Sequence, residues 1–222
     1  MNKLYKFFVI VTTVLIASCS SNPSSVKPQG LEPNNAIAYN KSGITYAEKG
    51  DYDRAIADYN QAIKLKPNFV FAYNNRGWAY YNKGDYDSAI ADYNQSIKLE
   101  PNDANTYNNR GAAYYKKGDY DRAIADYSQA IRLEPNFVFA YNNRGAAYHN
   151  KEDYDRAIAD YSQAIKLDPN YNAYYNRGNT YKDKGDYDSA IADYEAALRI
   201  NPNHAKAKIN LEAAKRAKAE KK

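Results

Sequence analysis

From residue 36 onward, apolar positions return at helical spacing in two alternating patterns. In VFAYNNRGWAYYNK, Tyr73, Gly77 and Tyr80 share one face of a helix, with Gly77 small enough to admit a close neighbour. In YDSAIADYNQSIKL, Ala89, Tyr93, Ser96 and Ile97 follow at i, i+4, i+7 and i+8 on a second helix. Between them, Lys83-Gly84-Asp85 reads as a stop and a start. Gly84 suits the left-handed C-cap, and Asp85 can accept from the first free amides of the next helix. Pro101 then closes the pair, so the segment predicts two short antiparallel helices.

The pair recurs. IADY begins at Ile56, Ile90, Ile124, Ile158 and Ile191, and the packing glycine falls at Gly43, Gly77, Gly111, Gly145 and Gly178. The spacing is 34 residues three times and then 33. With Pro67, Pro101, Pro135, Pro169 and Pro202 near each end, the repeats span 36–69, 70–103, 104–137, 138–170 and 171–204. A helical hairpin of this size cannot hide its apolar face alone and must stack on its neighbours. The period and residue pattern resemble those of tetratricopeptide repeat proteins. The resemblance implies an all-α fold, a right-handed α-solenoid of five helix-turn-helix repeats. It also implies a groove lined by the first helices, which binds a protein or peptide segment without catalysis.

The pattern is broken in places. Arg76, Arg110, Arg144 and Arg177 stand before the glycine where the family usually has an aliphatic residue, and repeat one has Ser42. These arginines are expected to lie over the repeat interface and pair with an aspartate such as Asp92 or Asp126. Glu152 replaces the turn glycine in repeat four, which costs on the order of 1 kcal/mol if the residue is left-handed.

On a helical wheel, Phe71, Asn74, Asn75, Trp78 and Tyr81 fall opposite the packed side of their helix and would face the groove. Asparagine is a poor helix former, yet it recurs at Asn40, Asn74, Asn108 and Asn142, and again at Asn75, Asn109, Asn143 and Asn176. A carboxamide offers both a donor and an acceptor, which an extended peptide backbone complements. The second column resembles the asparagine ladder of O-linked N-acetylglucosamine transferases, broken in repeat one by Lys41. The alternative is that tandem duplication copied a neutral residue. Tyr115 and Phe139 join the aromatics of this face, where repeat three instead has Asn105. The lysines and arginines of the carboxylate clamp found in tetratricopeptide co-chaperones are missing from the groove positions, which excludes acidic chaperone tails as partners.

Composition changes the picture at the ends of the chain. The net charge of +5 is concentrated in the leader and in NHAKAKINLEAAKRAKAEKK, so the repeats carry no basic body for nucleic acid. The tail reads as a capping helix over 205–222 that turns basic residues to water. Twenty-five tyrosines, against six phenylalanines and one tryptophan, imply a core of amphipathic rings whose hydroxyls reach water. MNKLYK followed by FFVIVTTVLIAS has the form of a signal peptide over 1–18. Ile16-Ala17-Ser18-Cys19 resembles a bacterial lipobox and makes Cys19 a lipidation site. Residues 19–34, rich in Ser and Pro, read as a tether with a span of roughly 20 Å. The expectation is a lipid-anchored, monomeric protein of the bacterial cell envelope, on the outer membrane facing the periplasm. One cysteine excludes an internal disulfide and a multi-cysteine metal centre. No nucleophile with its base, paired carboxylates or phosphate loop stands out, and no cofactor or metal is implied. His149 sits where tyrosine stands elsewhere. Self-association of the repeats, or lipid and nucleic-acid contact through the tail, remain the other readings.

Overall fold

The computed structural model describes residues 35–220, which form eleven α-helices and no strand. The signal-like segment, Cys19, the whole of the tether and the last two residues lie outside the described residues. Repeat one holds α1 (Ala36–Glu48) and α2 (Tyr52–Leu65), and repeat two holds α3 (Val70–Lys83) and α4 (Tyr86–Leu99). Repeat three holds α5 (Ala104–Lys116) and α6 (Tyr120–Leu133), and repeat four holds α7 (Val138–Asn150) and α8 (Tyr154–Leu167). Repeat five holds α9 (Tyr171–Lys184) and α10 (Tyr187–Ile200), followed by α11 (Ala205–Glu220). Each helix packs on its chain neighbours, and the first helices of consecutive repeats also touch. This is the α-solenoid connectivity in which every contact is to the same repeat or the next.

Local chemistry sets the boundaries. The second helices start at Asp51, Asp85, Asp119, Asp153 and Asp186, each accepting from the backbone amide three residues on. Hydrogen bonds from Ser88 hold the Asp85 carboxyl below the usual carboxylate range. The turns ahead of them use left-handed residues, with Gly84 at φ 86°. In repeat four Glu152 occupies that place at φ 61°, the one positive φ outside glycine among the described residues.

Within a repeat, glycine meets tyrosine. A Cβ on Gly77 would lie 2.9 Å from Cε1 of Tyr93, so hydrogen at that position is what lets the ring lie against α3. Tyr59, Tyr93, Tyr127 and Tyr194 are among the largest fully buried side chains. This corrects the expectation of water-reaching rings for that set: they fill the space the glycine and the alanines leave. Burial pushes the Tyr93 and Tyr127 hydroxyls well up, so both stay protonated.

Between repeats, arginine is the tie. Arg76 donates through Nε and Nη2 to the two carboxylate oxygens of Asp92, at 2.8 and 2.6 Å. Its Nη1 reaches Asn60 on α2 of the preceding repeat, at 2.5 Å. Arg110 does the same with Asp126 and Asn94, Arg144 with Asp160 and Ser128, and Arg177 with Asp193 and Ser162. The expected arginine–aspartate pairs are therefore formed, and each guanidinium spans two repeats.

The last helix takes the place of another first helix. Leu211 and Ala214 pack on Ala190 and Tyr194 of α10. Asn210 donates to Asn179 Oδ1 at 2.8 Å, and Lys218 pairs with Asp188 as Lys184 pairs with Asp155 one repeat earlier. Of the two large apolar residues in this helix only Leu211 is covered, and Ile209 is 68% exposed.

Candidate functional site

The asparagines of the first helices are not an open row. In the first column Asn40 and Asn108 are buried. Asn40 accepts from Asn75 Nδ2 of the next repeat at 3.1 Å, and Asn108 accepts from Asn143 Nδ2 at 2.9 Å. The first column, expected to face a groove, is therefore sealed between helices at these positions, because its oxygens tie α1 to α3 and α5 to α7. The second column stays half-exposed at Asn75, Asn109, Asn143 and Asn176. For Asn75 and Asn143 the internal bond uses one N–H and fixes the carboxamide plane, which leaves the Oδ1 acceptor turned away from that bond.

Repeat three breaks the pairing for a visible reason. Thr106 stands where repeats one, two, four and five have Ala38, Ala72, Ala140 and Ala173. Its hydroxyl meets Asp103 Oδ2 and lies 2.9 Å from Asn74 Oδ1, beside the carboxamide that Asn109 would otherwise pair with. Among the described residues Asn109 makes no internal side-chain hydrogen bond, so its donors and its acceptor are both unspent. The threonine is the sequence signal that the wheel argument missed. Asn142 departs in another way. Its Nδ2 turns back to the Val138 carbonyl at 3.2 Å, and its Oδ1 is buried without a partner.

The aromatics divide. Phe71 is 65% exposed and meets Phe69 edge to face, an arrangement that Phe139 and Phe137 repeat two repeats on. Trp78 is half-buried, edge-on to Tyr52 and packed against the cluster of Ala47, Ile56 and Tyr59. Tyr81, expected on the open side, is buried instead. It packs on Tyr86 because the end of α3 turns that face toward the next helix. Tyr115 is half-buried against Tyr120, and its hydroxyl accepts from Asn150 of repeat four at 2.8 Å.

His149 links repeats four and five. Thr180 donates its one hydroxyl proton to the Asn176 carbonyl at 2.9 Å, so at 3.0 Å its oxygen accepts from His149 Nδ1. The other ring nitrogen faces Asp183 at 3.4 Å. Burial lowers the pKa of the imidazole, against the pull of Asp183, so the ring is neutral near pH 7. His204 lies elsewhere, its Nδ1 accepting from the Ala207 amide at the start of α11. Among the described residues no three His, Cys, Asp or Glu side chains gather as metal ligands.

Family models for the TPR repeat match residues 43–84, 77–118 and 111–152, and models for the tetratricopeptide repeat match 138–171 and 171–204. The chain belongs to the tetratricopeptide repeat family. Two solved structures of MamA are 29% and 30% identical to this tetratricopeptide repeat protein, both with a TM-score of 0.68. The alignments cover 77% and 74% of this chain, and 94% and 96% of those chains. YrrB, described as a TPR protein with an unusual peptide-binding site, is 24% identical and has the same fold, with a TM-score of 0.67. That alignment covers 83% of this chain and 94% of YrrB. No curated protein matches the sequence. The tetratricopeptide fold makes the chain a protein-interaction module.

Proposed function

We propose that this tetratricopeptide protein is a membrane-tethered adaptor that holds an extended segment of another protein along the concave side of its first helices. The observation that carries the reading is Asn109. It is half-exposed at the centre of the stack, spends none of its hydrogen-bonding capacity internally, and is flanked in register by the oriented carboxamides of Asn75 and Asn143. Such a row grips backbone amides and so tolerates varied side chains. Phe71 and Trp78 add apolar contact at one end of it. Because the groups in repeats two and four are held by buried acceptors, little ordering entropy remains to be lost on binding.

The test is a peptide selected for binding from a random library, with Trp78 emission and calorimetry as readouts. Replacing Asn109 and Asn143 together by alanine should weaken binding at least tenfold. Asn109→Ala alone should not lower the unfolding midpoint, since its side chain ties nothing inside and alanine is the better helix former. Equal affinity in the double variant would remove the asparagine row from the mechanism.

The tether is the second half of the proposal. Cys19 follows a signal-like segment and would carry acyl chains, each methylene contributing about 0.8 kcal/mol of membrane affinity. Such an anchor would put the adaptor on the bacterial envelope, with Ser20 favouring the outer membrane. Cys19→Ser should move the protein from the membrane to the soluble fraction. Retention of the variant on membranes would refute the anchor.

A further inference from the structure

Repeat one lacks the arginine of the other four but keeps the site that holds it. In repeats two to five a guanidinium lies across the two oxygens of Asp92, Asp126, Asp160 or Asp193, at 2.6 to 2.8 Å. Tyrosine rings flank it. Arg110 lies over Tyr107 and Tyr114, and Arg144 over Tyr141 and Tyr148, at 5.5 to 6.0 Å from the ring centres. The matching residues of repeat one are all present as Tyr39, Tyr46 and Asp58, but the arginine is Ser42. Tyr46 has Arg54 over one ring face at 4.8 Å, as Tyr114 has Arg122. Tyr114 also has Arg110 over its ring, and among the described residues Tyr46 has no second guanidinium. Asp58 Oδ2 is buried with no hydrogen bond, a state that a carboxylate oxygen otherwise avoids at considerable cost.

We propose that the Asp58, Tyr39 and Tyr46 slot of repeat one is a guanidinium-binding site, filled by an arginine side chain of a bound polypeptide. The chemistry selects arginine over lysine. A planar fork satisfies two carboxylate oxygens at once and stacks on tyrosine, whereas an ammonium can do neither in the same geometry. In the filled copies the third nitrogen donor goes to α2, α4, α6 or α8 of the preceding repeat. Repeat one has no preceding repeat among the described residues, so a guest arginine enters from that side and brings its own acceptor. The site is separate from the asparagine row. Substituting Ser42 leaves Asn109 and Asn143 untouched, so each proposal can fail without the other.

The test uses the full chain with 13C-labelled aspartate, following the Asp58 carboxyl signal, assigned by Asp58→Asn, as N-ethylguanidinium is added. A saturable shift is expected, with ethylammonium at least tenfold weaker. In Ser42→Arg the signal should already sit at its bound position and no longer move, while the unfolding midpoint rises. Arg76→Ser should open a second slot, in which Asp92 becomes responsive. Acetyl-Gly-Arg-Gly-amide should bind at least as tightly as free arginine. An Asp58 signal that does not respond, that responds equally in Ser42→Arg, or that prefers free arginine to the peptide overturns the assignment. If Arg76→Ser responds while wild-type Asp58 does not, the slot of repeat one is closed and the proposal fails.

Discussion

Glu152 shows how much one residue can record about its repeat. The turn between α7 and α8 needs a left-handed residue, because the Asp153 amide must fold back to the Tyr148 carbonyl at 2.9 Å. Glycine takes that conformation freely at Gly50, Gly84, Gly118 and Gly185, whereas a side chain at φ 61° meets its own carbonyl. Glu152→Gly should therefore stabilise the protein by about 0.5–1 kcal/mol, part of the relieved strain being offset by the entropy glycine gives the unfolded chain. Urea midpoints at constant slope measure it. Glu152→Ala keeps the strain while removing the charge, and should gain nothing. A gain from alanine equal to that from glycine would assign the effect to charge. The arginine ties show a different balance at the same scale. Burial pushes the Asp92 and Asp126 carboxyls up, against the pull of their arginines. Such a pair adds little over an apolar contact of the same shape, but losing one partner strands a buried charge. Its contribution is to fix the register in which one hairpin meets the next.

At the scale of helices, sequence periodicity sees what is local and misses what is shared between repeats. The Asp caps, the glycine turns and the glycine–tyrosine contact each depend on residues within one hairpin, so their spacing carries the information. The arginine–aspartate tie was legible too, because only a carboxylate facing the interface can balance a buried guanidinium. The asparagine columns were not. A wheel drawn for α3 alone puts Asn74, Asn75 and Tyr81 on one open side, but each first helix has a further neighbour in the first helix of the next repeat. That neighbour buries Asn40 and Asn108, while Tyr81 is covered by Tyr86 from α4. The consequence for the site is selective. The column against the neighbouring helix becomes scaffold where Asn40 and Asn108 are buried, and the adjacent column stays half-exposed, with Asn109 beside the one threonine of the set, Thr106.

For the whole molecule, the chain of pairwise contacts from α1 to α11 means that stability is handed on between neighbours and has no single centre. The last contact is the most informative one to remove. α11 covers Ala190 and Tyr194 with Leu211 and Ala214, and without it the ring that fills the centre of repeat five borders water. Burying a leucine side chain contributes about 1.5–3 kcal/mol. Deleting residues 205–222 should therefore speed hydrogen exchange in α9 and α10 by roughly ten- to hundredfold, the fold-change that such a free energy implies for local opening. The loss should fade toward α7 and leave α1 to α6 unchanged, because no helix of repeats one to three touches α11. A uniform rise from α1 to α10 would mean that the repeats open as one unit, and the nearest-neighbour account would fail. If it holds, the N-terminal slot and the asparagines around Asn109 sit in repeats whose order does not depend on the basic tail. Tail deletion then separates any lipid or nucleic-acid contact made by 205–222 from peptide binding along the first helices.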